Sequence, residues 1–130
     1  MEEIKKKFIV QQNLEQKRIV EYTERLLPFC TITENGEVLI TKKELKTLEK
    51  VKVALIARYL ANRLESKISN EVSPDELALY LDVPKDQINA RLKDARDDKF
   101  ANTSDKGLSS VNPLRIGSFL EELEKKYGEC

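Results

Sequence analysis

The segment VSPDELALYLDVPKDQINARL, residues 72–92, constrains the fold of this chain more than any other. Ser73-Pro74-Asp75-Glu76 has the form of a capping box. The serine oxygen can accept from the third helical amide, and the Glu76 carboxylate can reach back to the Ser73 amide. Pro74 falls at the first helical position, where a missing N–H costs nothing. The helix so opened runs from Pro74 to Leu81 and buries Leu77 and Leu81, with Tyr80 at its edge. Asp82-Val83-Pro84 makes a corner, and Pro84 starts a second helix that reaches about Lys99. Ile88, Leu92 and Ala95 share one face of that helix, the spacing that packs it on its predecessor. The opposite face is left to present to something else.

The flanking segments supply the body. Thr41-Lys-Lys-Glu44 reads as another capping box and opens a helix to about residue 68. Its centre, VKVALIARYLANRL, is apolar on most sides and belongs in the middle of the core. Before it lies CTITENGEVLIT, residues 30–41, in which Asn35-Gly36 predicts a two-residue hairpin turn. That turn pairs Thr33 with Val38 and Ile32 with Leu39, and sets Glu34 against Glu37. Two strands are too few to stand alone, so the hairpin must dock on helices. Residues 2–27 carry a helical stripe of Ile4, Phe8, Ile19, Tyr22 and Leu26, with Leu14, Val20 and Leu27 beside it. Polar Gln11-Gln12-Asn13 interrupts the stripe, and Pro28 ends the helix. Packing on its own domain and pairing with a second copy both suit this pattern.

Beyond the second short helix, FANTSDKGLSSV (100–111) predicts two strands around Ser104-Asp-Lys-Gly107, with the glycine in a left-handed turn position. Asn112-Pro113 then opens a last helix, LRIGSFLEELEKKY, which returns Leu114, Phe119, Leu120 and Leu123 to the core and stops at Gly128.

Core helix, short helix, corner, second helix and glycine-tipped hairpin, in that order, resemble the winged helix-turn-helix superfamily over residues of about 42–112. The resemblance is carried by SPDELALYLDVPKDQINARLKDARDDKF and the strand-turn-strand after it. It implies a mainly α fold with a small β component: a winged-helix domain with a C-terminal helix over 42–130, and an N-terminal helix and β-hairpin extension over 1–41. It also implies a DNA-binding protein, a transcription regulator acting as a homodimer, with 84–99 as the recognition helix entering the major groove of double-stranded DNA. The residues it places toward DNA are Lys85, Gln87, Asn89, Arg91 and Lys93, with Lys106 on the wing. Gln and Asn can read an adenine edge, and Arg or Lys can hold guanine or phosphate.

Charge argues in both directions. Lys+Arg and Asp+Glu each count 23 in the 130 residues, so the chain as a whole has no field that gathers nucleic acid. The side of the recognition helix farthest from its apolar face carries Asp86, Ala90, Lys93, Asp94 and Asp97, with Arg91 and Arg96 on its flanks. Residues 85–99 hold five basic and four acidic side chains. The one basic block, residues 42–72, holds eight basic against four acidic, and Lys42, Lys43, Lys46, Lys50 and Lys52 could cross a DNA backbone from it. The acid-spotted outer face supports a second expectation, a protein–protein adaptor built on the same scaffold.

The chain has no His, no phosphate-cradling glycine loop and no GxSxG, and its two cysteines, Cys30 and Cys130, form no metal-type spacing. No enzyme activity, metal or cofactor is expected. Met1 is followed by EEIKKK, and the longest apolar run, VALIARYLA, is broken by Arg58. The expectation is a reduced, cytoplasmic protein without a membrane span. Abundant Lys and Glu with few Gly and Pro resemble the composition of proteins from heat-loving microbes.

Overall fold

The computed structural model describes residues 16–128. The chain is mainly helical with two small antiparallel hairpins. Helix α1 is described over residues 16–26. The first hairpin pairs β1 (Cys30–Ile32) with β2 (Val38–Ile40), followed by α2 (Thr47–Leu64), α3 (Pro74–Leu81) and α4 (Lys85–Asp97). The second hairpin pairs β3 (Ala101–Thr103) with β4 (Ser109–Val111). A single 3-10 turn, Pro113–Arg115, leads into α5 (Ile116–Tyr127).

Helix α2 is the axis of the molecule. Val51, Val53, Ala54, Leu55, Ile56, Ala57, Leu60 and Ala61 are all buried, on every side of the helix. Such a helix survives only when other elements wrap it, and here both hairpins, α3 and α4 contact it. One apolar cluster runs from Ile19 and Leu26 of α1, through Phe29 and Val38, to Ile116, Phe119, Leu120 and Leu123 of α5. The stripe foreseen on the first helix holds for Ile19 and Leu26, with Tyr22 packed beside them. Its members Ile4, Phe8 and Leu14 lie outside the described residues. Arg25 of α1 makes a two-pronged contact with Glu124 of α5, at 3.0 and 2.7 Å.

Three sequence expectations are corrected here. The first is the start of α2. Thr41 does not cap it: its hydroxyl donates to the Pro28 carbonyl at 3.4 Å, and residues 42–46 turn so that Leu45 is buried. The helix begins after Lys46, whose amide donates to the Glu49 carboxylate at 2.7 Å. Lysine has no acceptor to complete the box, so only half of it forms. The helix also ends at Leu64, short of 68.

The second correction concerns hairpin register. Ile32 faces Val38 and Thr31 faces Leu39, one residue away from the predicted pairing. Thr33 closes the turn instead. Its amide donates to Glu37 O at 2.9 Å, its carbonyl accepts from Gly36 N at 3.0 Å, and its hydroxyl accepts from Glu37 N at 3.0 Å. Either two-residue hairpin turn, type I′ or type II′, would need positive φ at Asn35, but only Gly36 takes it, at +90°. The three-residue loop therefore wins, and Val38 points into the core with no exposure. Glu34 and Glu37 do not face each other.

The third is Leu114, which was expected in the core and is 89% exposed. The 3-10 turn after the Asn112 cap rotates it outward, and Ile116 takes the buried place. Phe119, Leu120 and Leu123 are buried as expected.

Residues 72–92 fold as their pattern predicts. Ser73 Oγ accepts from Glu76 N at 3.1 Å and Glu76 returns the contact to Ser73 N at 3.1 Å. Leu77 and Leu81 are buried, as are Ile88, Leu92 and Ala95. Leu77, Leu81, Ile88 and Leu92 each contribute about 1.5–3 kcal/mol on burial. The strand residue Val72 exchanges both backbone hydrogen bonds with Ser109 at 2.8 Å, so the stretch before α3 is stitched to the second hairpin.

Arg58, read in sequence as a mere interruption of the apolar run, is a buried hub. Its guanidinium donates to Ser69 O (2.8 Å), Gly36 O (3.3 Å) and Glu71 O (3.3 Å), and to the Glu76 carboxylate (3.2 Å). The Tyr80 hydroxyl adds a donor to Glu76 at 2.9 Å. Burial by itself would push the Glu76 carboxyl up, but the Ser73 amide, the Tyr80 hydroxyl and Arg58 outweigh it and hold the group below its ordinary value.

Candidate nucleic-acid interface

Helix α4 is set in place by strong local signals at both ends. Asp82 adopts a left-handed conformation, φ +54°, and Val83 N donates back to Ala78 O at 3.2 Å, which closes α3. Pro84 then caps α4 from outside: its carbonyl accepts from Gln87 N and Ile88 N, both at 3.1 Å. Helix α4 thus starts one residue later than predicted. At the far end Lys99 is also left-handed, φ +65°. Its amide donates to Arg96 O and that of Phe100 to Ala95 O, the paired bonds of a Schellman stop. The chain passes directly into β3, and Phe100 stacks edge-on against Phe119 with centroids 5.3 Å apart.

The apolar stripe of Ile88, Leu92 and Ala95 is sealed, and the rest of α4 is largely open. Lys85, Gln87, Asn89 and Lys93 are exposed, and Arg91 is half-buried. Lys106 is exposed at the tip of the second hairpin, whose strand β3 packs on α4. Five of the six sequence-predicted residues therefore ride on one helix, and the sixth on a separate finger beside it. A shallow hollow of about 270 Å³ separates Thr47, at the start of α2, from Asp86, Gln87, Ala90 and Arg91. Sequence reasoning did not assign Thr47 a place at this surface, because it depends on where α2 begins.

Two of the six are already engaged. Lys85 Nζ lies 3.0 Å from Asp75 Oδ1, and Arg91 Nε lies 3.1 Å from Asp94 Oδ2. Lys93, Arg96, Lys99 and Lys106 have no ion pair among the described residues. Gln87 and Asn89 make no side-chain hydrogen bond there either.

The basic block is divided rather than continuous. Lys52 contacts Asp98 at 2.8 Å and lies over the rings of Phe100 and Phe119, at 4.9 and 5.5 Å from their centroids. It is structural and turned inward. Lys42 pairs with Glu44 and covers Tyr127. Lys46 lines a groove against α5 with Lys125 and Lys126, whereas Lys43 and Lys50 line another with Leu39, Tyr80 and Leu81. The five lysines do not act as one stripe.

Among the described residues no group of three His, Cys, Asp or Glu could hold a metal ion. Cys30 is buried, and burial pushes its thiol up to about 12, which disfavours the thiolate. Among the same residues no helix is long and apolar enough to cross a membrane. The chain matches no protein-family model, no curated protein and no solved structure.

Proposed function

We propose that this chain is a winged helix-turn-helix protein that binds double-stranded DNA, a transcription regulator acting as a homodimer in the cytoplasm. The observation that carries the reading is the two-sidedness of α4. Its inner stripe is fully buried and its outer residues, Lys85, Gln87, Asn89 and Lys93, stand open. In support, α2, the Val72 strand residue, α3, α4 and the hairpin tied to Val72 follow the order of the winged-helix scaffold. On this reading Gln87 and Asn89 read base edges, Arg91 grips guanine or phosphate, and Lys93 and Lys106 hold the backbone.

Titration of the protein against duplex DNA at two salt concentrations tests it. Binding that weakens with salt is expected, and Lys106→Ala lowers the log–log salt slope by about 0.9. No detectable binding at low salt and micromolar protein refutes it. A second reading, a protein–protein adaptor on the same scaffold, is favoured by the exposed Asp86, Asp94 and Asp97 of α4 and by Leu79 of α3, which is 78% exposed. Pull-down of a partner that is lost on Leu79→Asp, by a chain that does not bind duplex, would select it.

A further inference from the structure

Of the four cations on α4, Lys85 at its start and Arg91 at its middle lie against carboxylates, whereas Lys93 and Arg96 have no ion pair among the described residues. Asp75, on α3, reaches Lys85 across the corner, and Asp94 reaches back one turn to Arg91. We propose that Asp75 and Asp94 are specificity-determining residues: by occupying Lys85 and Arg91 they suppress binding to arbitrary duplex while leaving base-specific contacts possible. The proposal rests on the DNA-binding reading above.

The argument turns on how the two kinds of binding gain their free energy. Sequence-independent association comes almost wholly from cations that replace condensed counterions on phosphate. A lysine or arginine already compensated by a neighbouring carboxylate contributes little to that exchange. Using it requires expelling the carboxylate, which then stands beside the phosphates and repels them. A base-edge contact differs, because the arginine fork on guanine is directional and discriminates among bases. The side chains are 57% and 77% exposed for Lys85–Asp75 and 42% and 46% for Arg91–Asp94, although Arg91 Nε is itself buried and its contact with Asp94 is an ion pair without a hydrogen bond. Exposed pairs are weak, so they yield to a partner of good geometry and not to a diffuse field. Specificity obtained by penalising the wrong partner is a general device. Lys52–Asp98 stands apart, because Lys52 is only 12% exposed and seated on two rings.

The same helix supplies a control. Asp97 is exposed on α4 and pairs with no cation among the described residues. Its neutralisation changes net charge as much as that of Asp94 but frees no arginine.

The experiment uses the full chain and its Asp75→Asn, Asp94→Asn and Asp97→Asn variants, titrated against a labelled random-sequence duplex across a salt series. Asp75→Asn and Asp94→Asn are each expected to tighten binding about three- to tenfold at low salt and to steepen the salt slope by about 0.9. Asp97→Asn removes the same charge from the same face but frees no cation, so it is expected to tighten binding clearly less than Asp94→Asn and to leave the salt slope unchanged. In selection from a random pool, the Asp75→Asn/Asp94→Asn double variant is expected to enrich any sequence less than the parent does. Equal gains in all three single variants, or no gain in Asp75→Asn and Asp94→Asn, overturn the proposal while leaving DNA binding intact. Failure of every protein to bind duplex removes the DNA-binding reading itself, and is recognised by the parent's silence at low salt.

Discussion

The two hairpins of this molecule close with the same turn and lead opposite lives. In the first, Thr33-Glu-Asn-Gly36 places a hydroxyl on the Glu37 amide and a glycine at φ +90°. In the second, Ser104-Asp-Lys-Gly107 places a hydroxyl on the Leu108 amide and a glycine at φ +79°. The backbone bonds match as well, with Thr33 N on Glu37 O and Ser104 N on Leu108 O. Yet the first tip is docked: Gly36 O accepts from buried Arg58, and a methyl on Gly36 would meet Ile68 at 3.2 Å. The second tip is free, with nothing within 4 Å of the same position on Gly107. Local sequence chose the turn in both cases, and the surroundings decided whether it became scaffold or finger.

Breaking the docked tip should have the largest effect. Arg58→Met keeps the stem but strips the donors from three carbonyls and Glu76. A loss of about 3–5 kcal/mol is expected in denaturant unfolding, as for other broken buried pairs. A comparable substitution on the second hairpin, Lys106→Met, should leave stability within about 0.5 kcal/mol. The glycines sharpen the contrast at intermediate size. Each glycine-to-alanine change forces a side chain into a left-handed backbone, at about 1–2 kcal/mol. Gly107→Ala should cost that strain alone, whereas Gly36→Ala must also displace Ile68 and should cost more. Equal losses would mean that the first tip is not held as tightly as its contacts imply. The smallest effect should be in pH. The Glu76 carboxyl is depressed in the folded state, so its contribution is present above its unfolded value and lost as pH falls through the folded one. Acid should therefore weaken the Arg58 hub, and a Glu76→Gln variant should show a flatter stability profile below about pH 4.5 than its parent.

The pieces legible in sequence were those whose signal is complete within a few residues. Ser73, Pro74 and Glu76 define a helix start between them, and Ile88, Leu92 and Ala95 define a buried stripe without help from elsewhere. Thr41 and Glu44 showed the same letters, but the Pro28 carbonyl claimed the hydroxyl, a competitor 13 residues away. Asn35-Gly36 also misled, because the Thr33 side chain closed a wider loop. Arg58 was visible only as a gap in an apolar run, since its partners come from three other segments. At the candidate interface, the exposed positions of α4 could be read from helical winding alone. The Arg91–Asp94 pair was within reach of the same reasoning, being one turn apart. Lys85–Asp75 was not, because it spans a corner whose angle only packing sets.

The stitch between Val72 and Ser109 has a mechanical consequence. It pins the second hairpin three residues short of Lys106, so the free arm beyond the pin is roughly 10 Å at about 3.3 Å per residue. Such an arm can nod at its tip but cannot swing from its root. Whatever Lys106 touches must come to within that short reach, and the distance between it and α4 is effectively fixed by the body of the protein.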